Sequence, residues 1–136
     1  MFGRSDDEWE RIVDDATQFL KDQARLRRLT SYTELNEALG RRGHKMFDFA
    51  QENDRRAIGA VLSQVTQRTV GDSGTMLSAI VAYLDRNDAG AGFYALGIEL
   101  GLLASTATPD QRLAFWSGQV GKVHDLYARP RRQRGI

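Results

Sequence analysis

The sequence contains no cysteine among its 136 residues, and it has only two prolines. The missing thiols exclude disulfides, thiolate metal ligands and a cysteine nucleophile. The longest apolar run, MLSAIVAYL at 76–84, is far shorter than the roughly 20 residues that a membrane-spanning helix needs. The net charge is only +1, so binding to nucleic acid would depend on a local basic patch and not on the charge of the whole chain.

The rest of the composition is that of an ordinary globular protein. Apolar residues make up 41% and charged residues 27%, values that favour a folded chain over a disordered one. The opening stretch FGRSDDEWE is acidic and no apolar segment follows a basic flank, so we expect no signal peptide and a cytoplasmic location. We predict a single domain over residues 1–128 and a basic, flexible tail over 129–136.

Three capping signatures predict where helices begin. In each, a hydroxyl side chain precedes a Glu or Gln by three residues: Ser5 with Glu8, Ser31 with Glu34, and Thr108 with Gln111. The first opens a helix expected at about residues 6–28, and the second opens a short helix that stops at Gly40. The third is strengthened by Pro109 at the first helical position, and it opens the last helix.

A fourth helix, expected near residues 54–69, has two distinct faces. Its apolar side chains fall on one side of a helical wheel, and the other side is small and polar. That polar side carries Arg56, Gly59, Ala60, Ser63 and Gln67, with Arg55 and Arg68 at its edges. Short side chains let a helix approach the walls of the DNA major groove, where Arg, Gln and Ser can donate to phosphates and base edges. An ordinary amphipathic surface helix has the same pattern.

The segment after this helix indicates a strand, a turn and a second strand. The run 76–84 is apolar and short enough for a buried strand, the glycine-containing stretch 85–92 suits a turn, and Phe93 and Tyr94 would begin the return strand. A further helix is expected over 95–103. We therefore predict a mainly α (α+β) fold, with a winged-helix-like centre, a small β-hairpin and flanking N- and C-terminal helices.

Two further segments are basic. The irregular stretch after Gly40 carries Arg41, Arg42 and Lys45, and the tail includes Arg131 and Arg132. Basic loops and tails can neutralise phosphates, although solvated surface arginines explain the same pattern.

Three short motifs point to a known family. SYTEL at 31–35, RAIG at 56–59 and GFY at 92–94 resemble the C-terminal winged-helix domain of the alkylguanine-DNA alkyltransferases and their cysteine-free alkyltransferase-like relatives, over residues 29–104. The resemblance implies that Tyr32 presses on a phosphate while a nucleotide rotates out of the duplex. It also implies that Arg56 fills the vacated space in the base stack. Extrusion of a base costs a few kcal/mol, so a side chain that replaces the lost stacking is physically sensible.

The reaction of that family is not carried over. Its Pro-Cys-His-Arg active-site motif would fall at 77–80 and is absent, and Ser78 has no histidine beside it in sequence to activate it. His44 and His124 have no partner at metal-ligand spacing, and no phosphate-binding glycine loop occurs. We therefore expect no catalysis, no cofactor and no metal ion.

The leading prediction is a non-catalytic protein that binds double-stranded DNA through a winged helix-turn-helix. The predicted DNA-binding residues are Tyr32, Arg41, Arg42, Lys45, Arg55, Arg56, Ser63, Gln67, Arg131 and Arg132. The alternative is a protein-protein interaction or homodimerisation module built on a winged helix, which the near-zero net charge favours.

Overall fold

The computed structural model describes residues 1–83 and 88–128, and these residues are mainly helical. The α-helices are α1 (Asp6–Arg25), α2 (Tyr32–Arg41), α3 (Glu52–Thr69), α4 (Ala91–Glu99) and α5 (Pro109–Tyr127). Short 3-10 turns lie at Gly71–Ser73 and Leu77–Ile80. Within the described ranges no helix combines the length and the hydropathy needed to cross a bilayer.

The three capping signatures begin the helices that they predict. Each hydroxyl oxygen accepts a hydrogen bond at 3.1 Å from the backbone N–H three residues on: Ser5 from Glu8, Ser31 from Glu34, and Thr108 from Gln111. The Gln111 side chain returns a bond to the Thr108 backbone at 2.9 Å, which completes a capping box. The first helix ends at Arg25 and not near 28, because Arg27 adopts a left-handed backbone with φ of 54°.

The core forms where α1 packs on α3. The apolar faces expected from periodicity are buried, with Ile12, Val13 and Leu20 of α1 and Val61 and Val65 of α3 all fully inaccessible. Burial of this face turns the polar side of α3 outward. The third helix begins at Glu52, two residues before the expected start.

The segment 76–82 is not the predicted strand. Its middle forms a 3-10 turn, and side chains of α5 pair with part of its backbone and with the backbone just before it. Trp116 Nε1 donates to the Ala79 carbonyl at 2.8 Å, and Gln119 accepts from the Met76 N–H at 2.8 Å and donates to the Gly74 carbonyl at 2.9 Å. The backbone of a single residue, Thr30, pairs with the end of the segment: its N–H donates to the Ile80 carbonyl at 2.7 Å and its carbonyl accepts from the Ala82 N–H at 3.0 Å. Side chains of α5 and this one residue therefore pair buried polar groups that a neighbouring strand would otherwise pair.

The predicted β-hairpin is also wrong for the residues that the structure describes. Tyr83 and Asp88 form a single antiparallel bridge, and Thr30 forms a parallel one with Val81, but no strand is present in the described ranges. Part of the expected turn, residues 84–87, lies outside those ranges.

Phe93 and Tyr94 lie in α4 and not in a return strand. This helix spans Ala91–Glu99, four residues earlier at each end than the 95–103 expected from sequence. Its glycines give it a poor intrinsic helix propensity. Burial of Phe93, Tyr94 and Leu96 in the core supplies the stabilisation that its local sequence lacks.

Candidate nucleic-acid interface

The polar face of α3 is open to solvent. Arg56, Gly59 and Gln67 are exposed and Ser63 is half-buried, so neither α1 nor α5 covers this face. Arg56 pairs with Glu52 at 3.1 Å, and Gln67 donates to Ser63 at 3.0 Å. Both contacts lie within one helix at its surface, and contacts of this kind are weak enough to exchange for a ligand.

A cleft of about 820 Å³ lies beside the first half of α3. Segments that are distant in sequence build its walls: the start of α2, the loop before α3, the first half of α3, residues 82–83 and residues 90–92. The aromatic rings of Tyr32, Phe49 and Tyr83 line it, and Arg55 stands among them with its guanidinium donating to the Phe49 carbonyl at 2.7 Å. The volume lies within the range of about 300–1,000 Å³ that is typical of small-ligand sites.

Two tyrosines form one wall of this cleft. The rings of Tyr32 and Tyr83 are 5.1 Å apart between centroids, with an angle of 35° between their planes. Burial, together with the neighbouring Tyr83 and the hydrogen bond to it, raises the pKa of Tyr32 to about 12. The hydroxyl of Tyr32 is therefore protonated and neutral at physiological pH, and the ring of Tyr32 packs against that of Tyr83.

Asp88 connects this wall to α4. Its carbonyl accepts from the Tyr83 N–H at 2.9 Å, and its carboxylate accepts from the Tyr94 hydroxyl at 2.6 Å. The Arg112 guanidinium lies 5.8 Å from the centroid of the Tyr94 ring. Burial and the Asp88 carboxylate raise the pKa of Tyr94, despite the opposing charge of Arg112. The two chain ends flanking residues 84–87 are thus tied together at the cleft.

A second, smaller cavity of about 50 Å³ adjoins the cleft. Tyr32, Gly59 and Gly92 line both spaces, and Ser78 lines only the inner one. Ser78 is 5% exposed, and its hydroxyl accepts from the Thr66 hydroxyl at 2.7 Å. A neutral threonine cannot act as the base that a serine nucleophile requires.

The two histidines serve other contacts. His44 Nε2 lies 2.6 Å from an Asp15 carboxylate oxygen, and His124 Nε2 lies 3.0 Å from the Arg28 carbonyl. In the part of the chain that the structure describes, no group of three or more His, Asp or Glu side chains is placed to hold a metal ion.

Asp15 and its neighbours on α1 neutralise some of the basic residues. Arg42 pairs with Asp15 at 3.2 Å, and Arg68 pairs with Glu10 at 2.7 Å and Asp14 at 3.3 Å. Burial opposes ionisation of Asp15, but the hydrogen bonds from His44 and Arg42 outweigh it and lower the pKa of this carboxyl. The loop between α2 and α3 is thereby fastened to α1.

The structure brings together only some of the predicted DNA-binding residues. Tyr32 and Arg55 lie in the cleft wall, Ser63 lines the inner cavity, and Arg56 and Gln67 lie on the exposed face of α3. Three others lie on the end of α2 and the following loop and do not line the cleft: Arg41, Arg42 and Lys45. Arg131 and Arg132 fall in the tail, which lies outside the described residues.

Tyr83 and Phe49 were missed by the sequence reasoning. Tyr83 stood in a segment interpreted as a buried strand, and Phe49 stood in a loop with no period. The signal in the sequence that could have indicated these two residues was weak: each is an aromatic residue a few positions before a helix start or a turn.

No protein-family model, curated protein or solved structure matches the chain. The resemblance to the alkyltransferases therefore depends on the three short motifs alone.

Proposed function

We propose that this chain binds duplex DNA without catalysis, through the exposed polar face of α3. In this proposal α2 and α3 act as a helix-turn-helix. The observation that carries the proposal is the uncovered row of Arg56, Gly59, Ser63 and Gln67 beside an aromatic-lined cleft. The row combines a charge, hydrogen-bond donors and a position without a side chain, which suits close approach to a groove.

The cleft extends the proposal to a base rotated out of the duplex. Nucleobases are flat and stack on aromatic rings. Tyr32, Tyr83 and Phe49 supply such rings next to the exposed face of α3. Arg56, close to the cleft on α3, would occupy the space that the base leaves. Tyr32 lines the cleft as a half-buried side chain, so it would meet the base or its sugar as the nucleotide enters. Because Ser78 is paired with Thr66, no reaction step is assigned.

Fluorescence anisotropy with a short labelled duplex tests the proposal. We expect affinity to fall steeply as the salt concentration rises, because binding to phosphates releases counterions. Arg56→Ala should weaken binding by about 5- to 100-fold, the range expected for loss of one well-placed arginine contact. Arg11→Ala removes the same charge from an exposed position on α1 and should leave affinity within about twofold. Absence of binding at low salt, or equal losses in both variants, would contradict the proposal.

A duplex containing 2-aminopurine tests the rotated base. This fluorescent base is quenched by stacking, so its emission should rise when the protein binds and should rise less with Arg56→Ala. If the protein binds fully but the 2-aminopurine emission does not rise at any position of the probe, the protein contacts the groove without rotating a base out of the duplex.

Homodimerisation through α5 is a second candidate function. Leu113 and Leu126 of α5 keep 46% and 37% of their surface exposed, although both are large and apolar. Sedimentation velocity over a range of protein concentrations separates the two candidates. A dimer that dissociates with Leu113→Ser, together with no affinity for DNA, would favour this second function.

A further inference from the structure

Gly90 stands closer to Tyr32 than any residue with a side chain could. A β-carbon placed on Gly90 would lie 2.7 Å from the Tyr32 hydroxyl oxygen, and 3.4 Å and 3.5 Å from the ring and hydroxyl of Tyr83. Real β-carbons do not approach other heavy atoms to 2.7 Å, so the hydroxyl would have to move. The two longer distances are ordinary van der Waals contacts.

The backbone does not explain this glycine. Gly90 has φ of −76° and ψ of 163°, an extended conformation that every L-residue adopts without strain. A larger residue would therefore change the contact with Tyr32, and replacement by alanine would also remove a glycine that is favoured over alanine as the N-cap of α4.

The consequence would be local. The atom that must yield is the far end of a side chain, so the helices can keep their positions. The ring of Tyr32 is nevertheless held at 5.1 Å from Tyr83, and it lines both the cleft and the inner cavity. Displacement of this ring changes the wall between the two spaces and breaks its pairing with Tyr83.

We infer that Gly90 is a positioning residue. Because it has no side chain, it leaves room for the Tyr32 ring to pack against Tyr83, and the cleft keeps the shape that admits a ligand. The inference about ligand binding rests on the proposed function, whereas the placement of the ring does not.

A double-mutant cycle tests the inference. Gly90→Ala should weaken binding to the labelled duplex roughly tenfold, within the range that coupled contacting residues produce. Tyr32→Phe deletes the atom that the new methyl group would approach more closely than van der Waals contact allows, so adding Gly90→Ala to Tyr32→Phe should weaken binding less than twofold further. Gly118→Ala is the matched control, because a β-carbon there meets nothing within 4 Å and Gly118 lies on α5, away from the cleft.

Nuclear Overhauser effects between the ring protons of Tyr32 and Tyr83 report the contact between the two rings without any DNA present. We expect them in the unmodified chain and in Gly118→Ala, and we expect them to weaken in Gly90→Ala while the helical circular dichroism is retained. If the unmodified chain binds no DNA, the proposed function fails, and the ring contacts alone decide the placement of Tyr32.

Three results would overturn the inference. The first is an unchanged ring contact in Gly90→Ala. The second is a loss of binding that is equally large with and without Tyr32→Phe. The third is unfolding of Gly90→Ala, which would give the glycine a role in the whole fold and not in the cleft.

Discussion

Arg56 and Arg68 lie near opposite ends of α3 and meet different surroundings. Arg68 keeps 38% of its side chain exposed and reaches two carboxylates of α1, those of Glu10 and Asp14. Arg56 keeps 69% exposed and, within residues 1–83 and 88–128, forms an ion pair only with Glu52 of its own helix. Two arginines of one helix therefore differ in availability, because α1 neutralises one side of α3 and leaves the cleft side open.

The loop after α2 shows the same division. Arg42 pairs with Asp15, whereas Arg41 and Lys45 are exposed and have no ion pair among the described residues. In a chain with a net charge of +1, the charges that can meet a partner are those not already engaged by another element.

The largest effect is expected where α1 packs on α3, at residues of α1. Ile12 is fully buried there, and Ile12→Ala should lower the free energy of unfolding by about 2–5 kcal/mol through lost burial and a cavity. Urea denaturation measures the change. Leu113→Ala, at a position 46% exposed, should stay within about 0.5 kcal/mol. Similar losses in both variants would show that the core lies elsewhere.

A smaller effect should separate the two arginines. Arg68→Ala breaks two exposed ion pairs between helices and should cost about 0.5–1 kcal/mol of stability, whereas Arg56→Ala should cost less than about 0.5 kcal/mol. The order should reverse for DNA affinity, where Arg56→Ala has the larger effect. Denaturation measures the loss of stability in the two variants, and fluorescence anisotropy measures their loss of DNA affinity. If the same variant showed the larger loss in both measurements, the two arginines would not differ in the way proposed.

The smallest effect concerns pH. The pKa of Asp15 is lowered in the folded chain, so its interactions with His44 and Arg42 stabilise the fold above its ordinary pKa of 3.8. This stabilisation is lost as the pH falls through the lowered value. Asp15→Asn should therefore be less stable than the unmodified chain at pH 6, by less than about 1 kcal/mol, and the difference should shrink below pH 4. Unfolding measured at both pH values checks this, and a constant difference would contradict it.

The helices could be predicted because their signals are local. A hydroxyl at Ser5, Ser31 or Thr108 meets a backbone N–H three residues away, and apolar spacing identifies the faces that pack. The segment 76–82 could not be predicted in this way. Two of the partners of its backbone, Trp116 and Gln119, lie 37 and 43 residues further along the chain, so an apolar run that resembled a strand folds as a turn.

The cleft was beyond prediction for a related reason. Tyr32 and Arg55 were selected from the sequence, but Phe49, Tyr83 and Gly90 join them only when distant segments meet. The Gly90 contact depends on the separation of two atoms, which no residue pattern reports.

The bonds from Trp116 and Gln119 to the backbone at 74–79 also bear on the order of biosynthesis. A ribosome makes residues 74–79 before α5, so during translation these amides and carbonyls must first be solvated by water. Water must then leave when the last helix docks, and burial of the central segment waits for that step. The nascent chain therefore completes this part of its interior only after α5 has been made.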